Sequence, residues 1–322
     1  MYPWLTTTYE KIVNYYQNHY DYLPFLLHSI QDIGTEFLLR EISTWLFCLN
    51  PNNKQYCNIC PNCQLMKFNN YPDYYEIILD KNNKNNLENL YHLTDNIYKS
   101  PCYGKIKIIS IIHSELLSKT FINTIKNIIH NPPKKTYFLF SCSQECLRLL
   151  SQLKNYCFYF FLHPPKEKIS LYWLQKNLHK DYSSIELKTA LRIYNGSPIQ
   201  ARNLLNSILW KKRKKFFAQI KKNISKKNFL FLLSMFMDKN ISNELILWLL
   251  TILSDSVIIY YNQYILISNL DQLQLIQLFV KNFSISTLFV QWKNWLNCKR
   301  ICDNVESINR EMLFSHFLLT WQ

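Results

Sequence analysis

Through the first half of the chain, apolar residues fall in short unbroken runs separated by stretches with helical spacing. The runs are PFLLHSI (24–30), YEIIL (75–79), KIKIISII (105–112), TYFLFSC (136–142) and FYFFL (158–162). They are rich in β-branched and aromatic residues, and apolar on both sides of the chain, which predicts strands buried on both faces. Between them, LENLYHLTDNIY sets Leu87, Leu90, Thr94 and Ile97 on one helical stripe, and a helix is predicted over 36–49. Strands alternating with helices predict an α/β domain built on a parallel sheet.

His163, Pro164 and Pro165 close this zone, since Pro-Pro resists continuation of either element. A small helical unit follows to about Leu205, broken by the turn NGSP and resuming as IQARNLL. Beyond Trp210 the pattern is helical to the end, with no glycine after Gly196. The expected domains are therefore 1–165, 166–207 and 208–322. Trp248 with Leu245, Leu249 and Ile252 makes an apolar stripe for a core or a subunit interface. The longest apolar run, Leu245 to Leu253, stops at Ser254, Asp255 and Ser256, too short for a bilayer and suited to a buried helix. MYPWLTTTYEKIV lacks a basic segment followed by an apolar one, so a soluble cytoplasmic protein is expected. DKNNKNNLEN (80–89) reads as an exposed loop.

Composition adjusts this picture. A hydrophobic share of 48% in 322 residues is ordinary, but three glycines and an abundance of Asn, Lys, Ile, Tyr and Phe point to an AT-rich genome. Lys and Arg number 37 against 22 Asp and Glu, a net charge of +15 that favours phosphate or an anionic membrane surface. Codon bias produces the same surplus, so charge alone is a weak pointer. KKRKKFFAQIKKNISKK (211–227), nine basic residues without an acid, is read as a solvated helix face in preference to a phosphate contact.

Cys48, Cys57, Cys60 and Cys63 stand in the spacing C-x8-C-x2-C-x2-C. Thiolates two residues apart can turn back on one ion, and four close a tetrahedral shell with no open position, so structural zinc is expected. An iron–sulfur centre uses similar spacings, and four unligated thiols are the plain alternative. Cys142, Cys146 and Cys157 lack the His and Asn framework of a cysteine nucleophile. His113 and His130, with no cysteine or carboxylate at ligand spacing, read as ordinary imidazoles.

An α/β domain with a helical appendix invites a search for a phosphate loop, which needs glycines and a Lys-Ser/Thr pair. No GK[ST] exists in this chain. Gly34 follows the first apolar run, but Thr35 and Glu36 stand where Lys and Ser/Thr would be, and a carboxylate there repels phosphate. KIISII leads into His113 and Ser114 instead of magnesium-binding acids. A degenerate phosphate site that takes no ATP is expected around Gly34, Thr35 and Glu36.

YPWL (2–5), the cysteine block through CQLM (48–66), YPDYY (71–75), N-x7-NPP (123–133), WL (173–174), ALRIYNGSP (190–198) and SINREML (307–313) occur in the order found in one family. On these residues the whole chain resembles the delta-prime family of bacterial DNA polymerase III clamp-loader subunits. The resemblance implies an AAA+ module with an inserted zinc module held by Cys48, Cys57, Cys60 and Cys63, then a lid domain and an all-α collar. It implies a non-catalytic stator in a five-subunit ring with tau/gamma and delta subunits, helping to load a sliding clamp onto primed DNA. Two departures stand out. Where relatives carry Ser-Arg-Cys, with an arginine that reaches a neighbour's ATP, this chain has Asn155, Tyr156 and Cys157, and tyrosine offers no cationic fork. The family's Leu-Glu-Glu-Pro-Pro is IHNPP (129–133) here. An active ATPase of the same fold and a free-standing zinc-containing DNA-binding protein are the alternative functions.

Overall fold

Each of the five apolar runs forms a strand: β1 Phe25–Ser29, β2 Tyr74–Ile78, β3 Lys107–Ile112, β4 Thr136–Cys142 and β5 Phe158–Leu162. They pair in the order β2-β3-β4-β1-β5, every pair parallel. The structure, a computed structural model, describes residues 1–18, 23–29, 32–79, 96–133, 135–143, 152–178, 180–226, 229–238, 241–304 and 308–321. The loop expected over 80–89, the stripe residues Leu87, Leu90 and Thr94, and Cys146 lie outside these residues. Contacts group the chain into two units, Met1–Pro165 and Lys166–Gln322.

In the first unit, side-chain alternation divides the sheet between two cores. Phe25, Leu27, Ile108, Ile112 and Leu139 face α1 (Thr6–Asn18) and α2 (Thr35–Phe47). Leu26, Ile109, Ile111, Phe138 and Phe140 face α4 (Lys119–His130), whose Phe121, Ile122, Ile125, Ile128 and Ile129 recur at helical spacing. Ser118 starts α4, its Oγ accepting the Phe121 N–H at 3.3 Å. A short α3 (Pro61–Lys67) belongs to the excursion between α2 and β2. With glycine scarce, asparagine takes the left-handed turns: Asn53, Asn58, Asn69, Asn195 and Asn262 are five of the seven non-glycine residues with positive φ among those described.

The second unit is helical throughout its described residues. α5 (Glu167–Asn177), α6 (Ser184–Ile193) and α7 (Pro198–Asn206) pack together. A capping box of Ser183 and Glu186 starts α6. NGSP then turns the chain through positive φ at Asn195 (48°) and Gly196 (88°), places Ser197 at the N-cap of α7 and Pro198 at its first position. Helices α8 (Leu209–Asn223), α9 (Leu233–Phe236), α10 (Ser242–Tyr260), α11 (Leu273–Asn282), α12 (Ile285–Asn304) and α13 (Arg310–Leu319) follow. Trp248, Leu245, Leu249 and Ile252 are all buried, so the stripe is core. By length and composition α10 would suffice to cross a membrane, yet most of it is buried inside this unit.

The apolar run Leu245–Leu253 lies in a buried helix as expected, and α10 runs beyond it to Tyr260 through the buried Asp255. Its carboxylate accepts the Ser268 N–H (3.0 Å) and the backbone and side-chain N–H groups of Asn269 (both 2.7 Å). Asn269 in turn accepts from Arg213 (2.7 Å), whose guanidinium forms a two-pronged pair with Asp271 at 2.7 and 2.9 Å. Arg213 is wholly buried, with the Trp210 and Phe217 rings 4.8 and 4.7 Å from its guanidinium carbon. Replacing Arg213 with Ala leaves Asp271 without its cation, and a loss of roughly 3–5 kcal/mol is expected in urea unfolding. A loss below about 1 kcal/mol would show that water or a rearranged lysine replaces it.

Candidate metal centre and the ion cluster at the strand ends

Cys48 caps the C-terminus of α2, Cys57 and Cys60 flank a turn in which Asn58 has φ 60°, and Cys63 lies in the first turn of α3. The four Sγ atoms all lie within 4.8 Å of one another, Cys57 and Cys63 at 4.0 Å. A tetrahedron of sulfurs about 2.3 Å from one ion has edges of about 3.8 Å, so this set is close to the size a single metal requires. Backbone N–H groups already point at the sulfurs: Cys57 N–H to Cys48 (3.3 Å), Cys60 N–H to Cys57 (3.3 Å), Cys63 N–H to Cys60 (3.4 Å). These donors favour thiolate, and the backbone bond from Cys60 leads the effects that bring the Cys57 thiol down to about 6. Burial pushes Cys48 and Cys63 up, so a cation is needed before all four deprotonate together.

The surrounding fold holds the cluster in place. Asn62 donates to the Phe47 carbonyl at 2.8 Å, and the Phe47 ring stacks on Tyr71 with centroids 4.0 Å apart. Tyr71 opens the YPDYY motif, whose Asp73 is fully buried and accepts the N–H groups of Cys102 (2.6 Å), Tyr103 (2.8 Å) and Gly104 (2.8 Å). A Cβ on Gly104 would lie 2.5 Å from the Tyr71 hydroxyl, so this approach needs glycine. Motif and metal module are one packed structure. The sequence signal for Asp73 was the motif itself; its role as a loop anchor was not readable from spacing.

The crevice at the C-terminal ends of the strands is where a parallel α/β sheet offers a ligand site. Gly34, at φ 90°, leads into α2, and Glu36 occupies the first turn. His113, read from the sequence as an ordinary imidazole and not a ligand, lies outside the four-cysteine group and is engaged in ion pairs. Glu36 comes from another element, and the chain turns back at His113, which has φ 58°. His113 Nε2 lies 3.4 Å from Glu36 Oε1, and its Nδ1 3.6 Å from Glu115 Oε1. Glu115 also accepts the Ser143 hydroxyl (2.6 Å) and N–H (3.1 Å). Bonds to Glu115 and Glu36 push His113 up to about 10; the bond to His113 holds Glu36 down. Burial opposes ionisation of Glu115, but His113 and Ser143 outweigh it and keep this carboxyl below its usual range.

Tyr156 packs partly buried against the core on the α4 side, its ring 5.0 Å from His130 and under the Lys126 ammonium at 5.3 Å. The exposed Lys154 lies over the Tyr159 ring at 4.9 Å. Asn131 of the altered IHNPP segment caps the end of α4. Nothing in the structure explains the loss of the two carboxylates there.

A parallel sheet in this strand order, with a crevice at its strand ends, a four-cysteine cluster and a helical lid, defines an AAA+-like subunit. Residues 5–166 match the family profile described as DNA polymerase III, delta subunit; 165–206 match the AAA+ ATPase lid domain of DNA polymerase III subunit delta'; and 207–322 match the C-terminal region of the delta subunit. DNA polymerase III subunit delta' of Buchnera aphidicola from Acyrthosiphon pisum is 35% identical over 322 residues, covering 100% of this chain and 98% of that protein. The subunit delta' proteins of Yersinia pestis and Escherichia coli K12 are 29% and 27% identical over 100% and 99% of this chain, and 95% and 94% of their own lengths. The chain belongs to the DNA polymerase III subunit delta' family, within the bacterial clamp-loader AAA+ proteins.

Cys60→Ser removes one of four donors, and metal content measured on the purified variant should fall from one ion per chain to far below that. Unchanged metal content would remove Cys60 from the ligand set. His113 ionises more readily in the folded than in the unfolded chain. Its ion pairs therefore stabilise fully below its ordinary pKa of 6.5 and fade as pH rises towards about 10. The melting-temperature advantage of the native chain over His113→Gln should shrink between those pH values. A constant difference would mean that the imidazole acts by packing alone.

Proposed function

We propose that this chain is the stator of the DNA polymerase III clamp loader: a non-catalytic, cytoplasmic subunit against which ATP-driven neighbours work while a sliding clamp is placed on primed DNA. The carrying observation is the crevice. Catalysis of phosphoryl transfer needs a lysine on the phosphates and an acid for magnesium. Here Glu36 brings negative charge to the helix start where a phosphate would be cradled, and His113 neutralises that carboxylate from within the chain. The cluster sets the protein's own charged groups at that helix start.

In this reading residues 1–165 form the AAA+-like domain, 166–207 the lid and 208–322 the collar through which tau/gamma and delta subunits join in a ring of five. One zinc ion sits on Cys48, Cys57, Cys60 and Cys63. A fully ligated zinc has no open position and supplies folding energy to the module, not chemistry. What the chain contributes is shape: a sheet buttressed on both faces, an anchored Asp73 loop and the Arg213 network within the helical unit. No bond is made or broken by its side chains.

Membership of the delta' family over the full length supports this reading, as does the absence of GK[ST] from the sequence. Two measurements test it. The purified chain should show no ATP turnover above background and no nucleotide-dependent rise in melting temperature. Mixed with the tau/gamma and delta subunits of its own organism, it should enter a five-subunit complex in native mass spectra. Turnover by the pure chain would restore the ATPase alternative, and a chain that ignores those partners would overturn the stator role.

A further inference from the structure

The net charge is unevenly placed. Residues 166–322 hold 22 Lys and Arg against ten Asp and Glu, and so carry twelve of the fifteen net positive charges, leaving the first 165 residues close to balance. Codon drift acts on the whole chain and does not explain a surplus confined to one unit; asymmetry of this kind points to a polyanion. The structure also separates the basic helix α8 into residues with different tasks. Arg213 is buried on Asp271 and Asn269, Lys212 pairs with Asp238 (3.3 Å), Lys214 with Glu186 (2.7 Å), and Lys221 donates to Gln274 (2.7 Å). Lys211, Lys215 and Lys222 remain, all exposed and without a polar partner among the described residues. At positions i, i+4 and i+11 they fall on one stripe, spanning about 16 Å at 1.5 Å per residue. Ala218 lies between them on that stripe, where its small side chain lets another backbone approach.

We infer that this outer stripe of α8, Lys211, Lys215 and Lys222, is a docking surface for the phosphate backbone of DNA. Charge complementarity commits it to a polyanion: the acids near α8 are engaged by Lys212, Lys214 and Arg213, and no acid lies in the helix itself. A membrane surface fits less well. A helix lying in a lipid interface needs its apolar face free, whereas Trp210, Phe216, Phe217 and Ile220 of α8 are buried inside the unit. The contact reads no sequence, because lysine ammonium groups on phosphates position a protein without distinguishing bases. It needs neither ATP nor the other clamp-loader subunits, and stands apart from the stator reading.

The test uses the full-length chain alone, with fluorescence anisotropy on a labelled duplex of about 20 base pairs at about 50 to 200 mM salt. Each phosphate contact contributes about 0.9 to the slope of log affinity against log salt, so Lys211→Gln, Lys215→Gln and Lys222→Gln together should flatten that slope by about 2–3. Across this salt range the native chain should then lose roughly 40-fold more affinity than the variant. Lys67→Gln, Lys105→Gln and Lys119→Gln, exposed in the first unit, remove the same charge and should change the slope by less than about one. Equal shifts for both triple variants would mean that only net charge matters and would overturn the assignment. So would no duplex binding at the lowest salt, or binding to phosphatidylglycerol vesicles but not to the duplex. Ring assembly in native mass spectra is read separately, so a native chain that assembles but binds no duplex, or a triple variant whose slope does not change, rejects this surface and leaves the stator role standing.

Discussion

Because all five strands of the first unit run in one direction, neither face of the sheet can be left to water and every strand delivers its C-terminal end to the same edge. The first consequence fixes the layers, with α1 and α2 over Phe25, Leu27 and Ile108 and α4 over Leu26, Ile109 and Phe138. The second brings together residues far apart in the chain. Glu36 enters from the turn after β1, His113 and Glu115 from the end of β3, and Ser143 from the end of β4. At that edge Glu36, His113 and Glu115 form a three-group ion cluster.

Such a cluster suits the rigid role proposed for the chain. A bound ligand stabilises a fold only when present, whereas this ion cluster needs no partner and persists between the pH at which its carboxyls are protonated and the pH at which His113 loses its proton. The same economy of moving parts appears in the four-cysteine module. Backbone N–H groups aim at sulfur, Asn62 ties α3 to the end of α2, and Phe47 on Tyr71 joins the module to the Asp73 anchor. In the helical unit, Arg213, Asn269, Asp271 and Asp255 form a chain of charged and polar groups, most of them fully buried. Each interaction costs desolvation, and each fixes one loop to one helix, a specificity that apolar packing alone does not supply.

Compositional drift left marks that the fold absorbs. Glycine is nearly absent, yet left-handed turns are still needed after strands and helices. Asparagine serves at five of them, since its short amide tolerates that conformation better than most side chains. The glycines that remain include Gly34 and Gly196 at positive φ and Gly104 against the Tyr71 hydroxyl, where a Cβ has no room.

The strand runs, the helical second half and the four cysteines were legible in the sequence because each depends on local periodicity or on ligands a few residues apart. β4 and β5 carry the very bounds their apolar runs had, and the C-x2-C-x2-C turn folds on itself whatever surrounds it. The tertiary structure alone decided what joins residues remote in sequence. Strand order set Glu36 beside His113; the buried donors of Asp255 came from Asn269, fourteen residues on; and among nine basic residues read as one solvated face, packing buried one, paired others and left Lys211, Lys215 and Lys222 exposed. Periodicity tells which side of an element seeks the core, but the partner of a charge depends on which other element arrives there, and that is settled only when the chain closes on itself.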